Sequence, residues 1–376
     1  MPIPGRAALL VGACSLALVA AAAPASAQAG RDQPTRLPGG LAVDPAAPPL
    51  PSDLTAAAWT VADLDTGKVL ASNDPHAQHA PASTLKVLTT LALLPEVAKD
   101  EMVVPEQSDI DVEGSKVGLL RDVPYPAEEL YQALLMVSGN DVANVLGEAA
   151  GGKDAAASAM NRTARELGAV DTNAVNQHGL DAEGQVSTAY DLAVIGRAAL
   201  DDPDIARWVT TRRSTMTGKP GEPRFEIYNH NKLLGSYEGA LGVKNGYTSR
   251  ARASFIGAAE RDGRRLVVSL MRAEPRVWAE AATLLDWGFA AAAADTPAVG
   301  SLPSLPAQDD ESPVEEAVGA VVEKTAGLTS AGSGNPLTPL PGRELAGLLL
   351  VAASLVAVRP TRRRQRRKTS ITVRSA

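Results

Sequence analysis

The sequence predicts a mixed α/β fold, α+β in its segregation, with one antiparallel sheet flanked by helices. Three observations carry that prediction. Strand-like runs open the central region at 57–63 and 68–72, across an Asp65-Thr66-Gly67 turn. Further strand-like runs close it at 239–243, 253–258 and 266–271, the last two joined by Arg261-Asp262-Gly263-Arg264 as a hairpin. The residues between are dominated by apolar helical stretches, so the strands at the two ends share one core only if they meet in a single sheet.

Taken in order, residues 1–27 have a cationic start at Arg6, an apolar run over 7–23 and the small residues Ala25-Ser26-Ala27, the three parts of a secretory signal peptide. The only cysteine, Cys14, lies inside it, so a chain cleaved before Gln28 has no disulfide, no thiol chemistry and no cysteine-based metal site. Residues 28–50, with five prolines, read as a Pro-rich leader. A catalytic domain is expected over 51–290. His76 and His79 have metal-like spacing, but they stand among prolines in a loop without a third ligand, so no metal and no cofactor is expected.

Ser83-Thr84-Leu85-Lys86 follows Pro81-Ala82 and precedes the apolar run 87–94, a helix too hydrophobic to lie on a surface. A Ser and a Lys three residues apart share one helix face, so the amine can reach the hydroxyl that it must deprotonate. At the first turn the serine also gains the partial positive field of the helix N-terminus, which suits a nucleophile with developing negative charge beside it. Ser138-Gly139-Asn140 lies between the apolar run 130–137 and a second helical stretch from Asp141, in a loop joining two packed helices; ordinary helix capping is the alternative role for such residues. Asp191, in Tyr190-Asp191-Leu192, is expected to cap the helix that it starts, and His178 and His230 to make core hydrogen bonds, with lining or buttressing the cleft as the alternative. Lys244-Asn245-Gly246-Tyr247 lies on the 239–248 strand, where a lysine is ordinarily a solvated side chain but an adjacent glycine permits close backbone approach. A final helix over 275–289 closes the domain.

Together, Ser83-x-x-Lys86, Ser138-Gly139-Asn140 and Lys244-Asn245-Gly246 match the S-x-x-K, S-D-N and K-T-G triple of penicillin-binding proteins and class A β-lactamases. From about 57 to 289 the chain resembles the serine D-alanyl-D-alanine carboxypeptidases, the low-molecular-mass penicillin-binding proteins of the peptidase S11 type. Gly114-Ser115-Lys116-Val117-Gly118-Leu119 is similar to the family's segment ahead of its S-G-N loop. Asn176-Gln177-His178-Gly179-Leu180 resembles N-P-H-G-L, Ser187-Thr188-Ala189-Tyr190-Asp191-Leu192 resembles S-T-A-Y-D-L, and Leu284-Leu285-Asp286-Trp287-Gly288-Phe289 resembles the family's domain end. One departure is clear: Asn245 stands where the third motif usually has threonine.

The resemblance implies the transpeptidase and β-lactamase fold and a set of roles. Lys86 is the base, Ser83 the nucleophile and Ser138 the proton relay. Asn140 positions the substrate amide, and Lys244 with Asn245 and Gly246 binds the terminal carboxylate. The backbone N–H groups of Ser83 and Tyr247 receive the oxyanion. The implied substrate is a peptidoglycan stem peptide ending in D-Ala-D-Ala, with β-lactams as covalent inhibitors. A basic side chain after the sheet, Arg272 or Arg276, can assist carboxylate binding, but the neighbouring spacing differs from the family's and neither is assigned. A β-lactamase of the same fold would need a deacylating carboxylate such as E-x-x-L-N, and 141–200 contain none. A wall-binding scaffold with decayed chemistry is the other alternative, favoured only by Asn245.

Residues 291–341, rich in Ala, Pro, Ser, Gly and Glu, read as a disordered tether, too short for the second, β-rich domain that many relatives carry. Residues 342–358 contain a charge-free run of 14 residues, short of the ~20 that span a bilayer but extendable by the flanking 337–342 segment and a snorkelling Arg343. The basic tail 359–376 then favours the cytoplasmic side, so a C-terminal membrane anchor is expected, with an interfacial helix as the alternative. Leu340-Pro341-Gly342-Arg343-Glu344 is not an L-P-x-T-G sorting motif, so covalent wall attachment is not expected. The tail holds eight of the basic side chains, so against a total charge of -7 the remaining residues carry -15. A domain that acidic is no nucleic-acid binder.

Overall fold

The computed structural model describes residues 36–305. Strand β1 (Leu41–Val43) precedes the hairpin of β2 (Ala58–Asp63) and β3 (Lys68–Asn73). A 3-10 turn at Ala82–Thr84 runs directly into α1 (Leu85–Leu93). The short β4 (Met102–Val103), α2 (Gln107–Ile110) and β5 (Tyr125–Pro126) follow, then α3 (Ala127–Met136), α4 (Asn140–Ala149), α5 (Lys153–Leu167), α6 (Ala189–Asp201) and α7 (Pro203–Thr210). A separate hairpin of β6 (Arg213–Met216) and β7 (Phe225–Tyr228) and the short α8 (Leu233–Ser236) lead to β8 (Ala240–Thr248), β9 (Arg252–Arg261) and β10 (Arg264–Ala273). Helix α9 (Val277–Ala293) and β11 (Gly300–Ser301) complete the described fold.

The main sheet has the order β1-β3-β2-β10-β9-β8, with β11 also pairing β3, and every pairing is antiparallel. The ends of the domain meet where β10 pairs β2, from Leu266 opposite Asp63 to Met271 opposite Ala58. The β9–β10 connection is a two-residue turn with Asp262 at φ 53° and Gly263 at φ 75°. Both values are positive, the hairpin geometry that matches strand twist and favours Asp-Gly.

Alternation along the strands decides what each face packs against. On β10, Val267 and Met271 join the core built by α1, α3, α4 and α6, whereas Leu266, Val268 and Leu270 join the core beneath α9. On β9, Ile256 faces the first core and Phe255 the second. The sheet is therefore buried on both faces. At roughly 25 cal/mol per Å² of apolar surface, such burial dominates the stability of the domain.

The ordered fold extends past the expected 51–290 at both ends. Within the leader, β1 pairs β3 with Leu41 opposite Asn73, Leu37 is buried in the core, and Trp287 Nε1 donates to the Pro48 carbonyl at 2.9 Å. Within the tether, Val299 N donates to Val69 O and Leu302 N to Gly67 O. There the guanidinium of Arg197 donates to the carbonyls of Leu64, Asp65 and Pro303. These segments are two or three residues long and held by backbone bonds, so no period-2 pattern marks them. Helix α6 brings another correction: its N-cap is Thr188, whose Oγ1 accepts from Asp191 N at 3.0 Å. Asp191 is instead a buried residue whose carboxylate accepts from Thr172 Oγ1 at 2.7 Å, and burial raises its pKa to about 7.

The expected signal peptide at 1–27, the start of the leader at 28–35, the remainder of the expected tether, the expected anchor at 342–358 and the tail at 359–376 lie outside the described residues. Among the described residues, no helix is long and apolar enough to cross a membrane.

Candidate active site

Ser83 sits in the 3-10 turn, held from two directions. The Pro81 carbonyl accepts from Thr84 Oγ1 at 2.6 Å and from Ser254 Oγ on β9 at 2.6 Å. The next residues enter α1, which is buried nearly all round, and this carries Lys86 into the core at 0% exposure. Lys86 Nζ lies 2.9 Å from Ser83 Oγ, 2.7 Å from Asn140 Oδ1, and in close contact with the His178 carbonyl. Burial holds its pKa well below the ordinary lysine value; the charge of Lys244 adds to the depression and Asp141 opposes it. A neutral amine has two N–H donors and one lone pair. With Asn140 Oδ1 and the His178 carbonyl taking the two donors, the lone pair is left for the Ser83 hydroxyl.

Asn140 opens α4 and its amide is oriented from behind. Its Nδ2 donates to Glu113 O at 2.6 Å, and its backbone N donates to Ser115 O at 2.7 Å. The oxygen thereby faces Lys86, and one Nδ2 hydrogen remains uncommitted. Asp141, buried beside it, accepts from the backbone N–H groups of Val117, Gly118 and Leu119 at 2.8 to 3.2 Å. The 114–119 segment noted in the sequence is thus pinned over the Ser138-Gly139-Asn140 turn by a carboxylate that motif reading did not single out. Ser138 itself is buried, with φ 68°. Left-handed backbone at a non-glycine residue costs on the order of 1 kcal/mol and persists only where its surroundings impose it. No hydrogen bond joins its hydroxyl to Ser83, Lys86 or Lys244.

Strand β8 is the edge of the sheet and passes the nucleophile turn. A Cβ on Gly246 would come within 2.6 Å of Ser83 N and 2.7 Å of Ser254 Oγ, so the close approach requires glycine. Lys244, 1% exposed, donates from Nζ to Asn245 O at 2.8 Å, and burial lowers its pKa to about 7. Asn245 is half-buried, and Tyr247 is 57% exposed at the open side. Beyond it, Thr248 Oγ1 donates to Asp181 Oδ1 at 2.9 Å, linking β8 to the loop after His178.

That loop meets the nucleophile turn under a strict steric demand. Gly179 has φ +86°, and a Cβ there would lie 2.1 Å from the Ala82 carbonyl oxygen. The His178 ring accepts from Leu180 N through Nδ1, and burial, with Lys86 and Lys153 nearby, lowers its pKa to about 4. It therefore stays neutral near pH 7 and serves the site through its backbone carbonyl. His230 donates from its backbone N to Met136 O; burial and then Lys244 lower its pKa. His76 bonds the Asp171 carboxylate at 2.9 Å, and among the described residues no group of acidic, His and Cys side chains is arranged for a metal.

The two candidate arginines separate. Arg272, on the β10 bulge at φ 55°, lies close enough to His79 for its charge to lower the imidazole pKa, burial being the larger cause. Arg276 lines a groove with Pro51, Thr55 and Glu280 beside α9. Only Arg272 is placed toward the segment that leads into Ser83.

Comparison with known proteins agrees with this geometry. The family model for peptidase S11, D-alanyl-D-alanine carboxypeptidase, matches residues 43–275. The chain is 45% identical over 249 residues to D-alanyl-D-alanine carboxypeptidase DacB2 of Mycobacterium tuberculosis, covering 64% of this chain and 84% of that protein. It is 30% identical over 256 residues to DacD of Escherichia coli, covering 64% of each. The crystal structure of a D-alanyl-D-alanine carboxypeptidase from M. tuberculosis superposes with a TM-score of 0.65 at 41% identity, covering 70% of this chain and 100% of that one. The Streptomyces K15 DD-transpeptidase shares the fold, with a TM-score of 0.61 at 24% identity over 65% of this chain and 100% of that one. A buried Ser83–Lys86 pair, an oriented Asn140 and a buried Lys244 on the sheet edge thus stand in the matched region, and the chain belongs to the peptidase S11 family of D-alanyl-D-alanine carboxypeptidases.

Proposed function

We propose that the protein removes the terminal D-alanine from peptidoglycan stem peptides through an acyl-enzyme on Ser83. The observation that carries this reading is the Lys86 amine, buried, depressed in pKa and 2.9 Å from Ser83 Oγ. Neutral Lys86 takes the hydroxyl proton as Ser83 Oγ bonds to the carbonyl carbon of the penultimate D-alanine. The C–N bond then breaks, and Ser138 passes a proton to the departing amine. Water cleaves the ester and releases the shortened peptide. Lys244 and Asn245 receive the terminal carboxylate, whose charge restores the Lys244 ammonium on binding. The spare Nδ2 hydrogen of Asn140 is available to a substrate carbonyl. Ser83 N, against which Gly246 brings β8, and Tyr247 N supply the oxyanion donors.

Penicillin is expected to acylate the same serine and stay there. A fluorescent penicillin should label the protein covalently and Ser83→Ala should not label. Fast turnover of a chromogenic cephalosporin would instead make it a β-lactamase. The export signal and C-terminal hydrophobic segment support a wall-facing domain tethered to the membrane.

The departure at Asn245 is testable. An asparagine amide donates to a carboxylate as a threonine hydroxyl does, with longer reach. Loss of one charge-assisted hydrogen bond is worth ~1.5 to 3 kcal/mol. Asn245→Ala should therefore slow D-alanine release from diacetyl-Lys-D-Ala-D-Ala about tenfold or more, and Asn245→Thr should stay near wild type. Full activity in Asn245→Ala would leave the carboxylate to Lys244 and an arginine.

A further inference from the structure

Behind the Ser83–Lys86 pair runs a buried chain of amides that the three motifs do not include. Gln177 Nε2 donates to Asn144 Oδ1 at 2.8 Å, and Asn144 Nδ2 donates to the Asp109 carbonyl at 3.0 Å. The second bond sets the polarity of the first, because a carbonyl can only accept and so turns Asn144 Oδ1 toward Gln177. The Gln177 carbonyl in turn accepts from Thr89 Oγ1 at 2.8 Å. Gln177 and Asn144 are almost wholly buried.

The spacing links this chain to the catalytic pair. Thr89 follows Lys86 by three residues on α1, and Asn144 follows Asn140 by four on α4, so Thr89 lies one turn beyond the residue that bears the amine and Asn144 one turn beyond the amide that contacts it. Gln177 is bonded to both helices and immediately precedes His178, whose carbonyl accepts from Lys86. Room for the side chain comes from α4 itself: a Cβ on Gly147 would lie 3.2 Å from Gln177 Nε2 and 3.3 Å from its Cδ. A helix-interior glycine costs about 1 kcal/mol relative to alanine, and a Cβ here would require the Gln177 side chain to give by a few tenths of an ångström. In the N-P-H-G-L pattern that the segment resembles, this position is a proline, which has no side-chain donor.

We propose that Gln177 and Asn144 are positioning residues for the base: their hydrogen bond fixes the His178 carbonyl, which holds one donor of the Lys86 amine and leaves its lone pair on Ser83. This rests on the reading of Lys86 as the base. Removing the bond frees the carbonyl and lets the amine turn, so acylation slows although the substrate contacts on β8 are untouched.

The test uses Gln177→Met, close in size but unable to donate, and Asn144→Ala, which removes the acceptor from the other side. Each is compared with wild type in melting temperature, in peptide kcat and KM, and in the pH profile of penicillin acylation. For a hydrogen bond of ordinary worth, kcat and the acylation rate should fall about five- to tenfold with KM unchanged. The acid limb of the profile should move to higher pH, because the loosened site admits water to an amine whose low pKa depends on burial. The double variant should be no slower than the more affected single one. Wild-type kcat and pH profile in either folded variant overturn the proposal, as does a loss of melting temperature with no change in kcat or profile. If one variant fails to fold, the other decides. Lys86→Arg, assayed in parallel, separates the two readings. Acylation that survives it removes Lys86 as base, whereas an inactive Lys86→Arg beside a wild-type-like Gln177→Met removes only the positioning role.

Discussion

Lys86→Arg is expected to fold and to form no acyl-enzyme. A guanidinium stays protonated throughout the usable pH range, so it can donate to Ser83 Oγ but cannot take its proton. Removing a member of a nucleophile–base unit costs several orders of magnitude in rate, commonly about 10⁴ or more. The measurement is covalent labelling by fluorescent penicillin, with the melting transition checked alongside. Labelling of a folded variant at the wild-type rate would take Lys86 out of the mechanism.

The same residue sets the pH dependence. Burial and then Lys244 hold the Lys86 pKa well below the ordinary value, so the neutral amine is available at a pH where a solvated lysine is charged. Acylation should therefore fall as pH drops through that lowered pKa. Stability runs in the same direction. The unfolded lysines titrate near the ordinary value of ~10.4, so between the two pKa values the unfolded state holds more protons. The burial of Lys244 accordingly weighs fully against folding below its pKa of about 7, and that penalty disappears as pH rises toward the unfolded value.

Gly179→Ala is expected to be severely damaging although Gly179 is not one of the reacting groups. The added Cβ would stand 2.1 Å from the Ala82 carbonyl oxygen and 3.1 Å from Ser83 N, at a backbone φ of +86°. The left-handed conformation alone costs alanine about 1 to 2 kcal/mol, and the overlap is with backbone that no rotamer change relieves. Either the His178 loop or the nucleophile turn must move. Because both contact the Lys86 amine or its target, displacement by ~1 Å should cost about 100-fold in acylation rate. Stopped-flow acylation with a chromogenic cephalosporin reads this directly, and a wild-type rate constant would show that the loop is not coupled to Ser83.

How far the site was legible in the sequence follows from what each contact depends on. Ser83 and Lys86 could be paired because a helix places residues three apart on one face, and Asp262-Gly263 could be read as a hairpin turn because that dipeptide accepts two positive φ values. The antiparallel sheet with helices on both sides followed from strand-like runs at the two ends of the domain. Local chemistry of this kind depends on neighbours in the chain, and the chain states it.

The remaining contacts join residues tens of positions apart. Asn140 lies 54 residues from Lys86, and the His178 carbonyl lies 92 away. Asp141 anchors a segment 22 to 24 residues upstream. Asp191 is a residue type that caps helices, but Thr188, three positions earlier, is the N-cap whose Oγ1 accepts from Asp191 N. Residues 41–43 and 300–301 have too little pattern to announce themselves as strands, since their place depends on the exposed edge of β3. By itself, then, the sequence determined the fold class, the proximity of Ser83 and Lys86 on one helix face, and the residue types available to the proposed site. Only the tertiary structure decided which carbonyls occupy the amine's donors, which arginine faces the nucleophile segment, and why glycine stands at 147, 179 and 246, because burial and distance exist only once the chain has closed on itself.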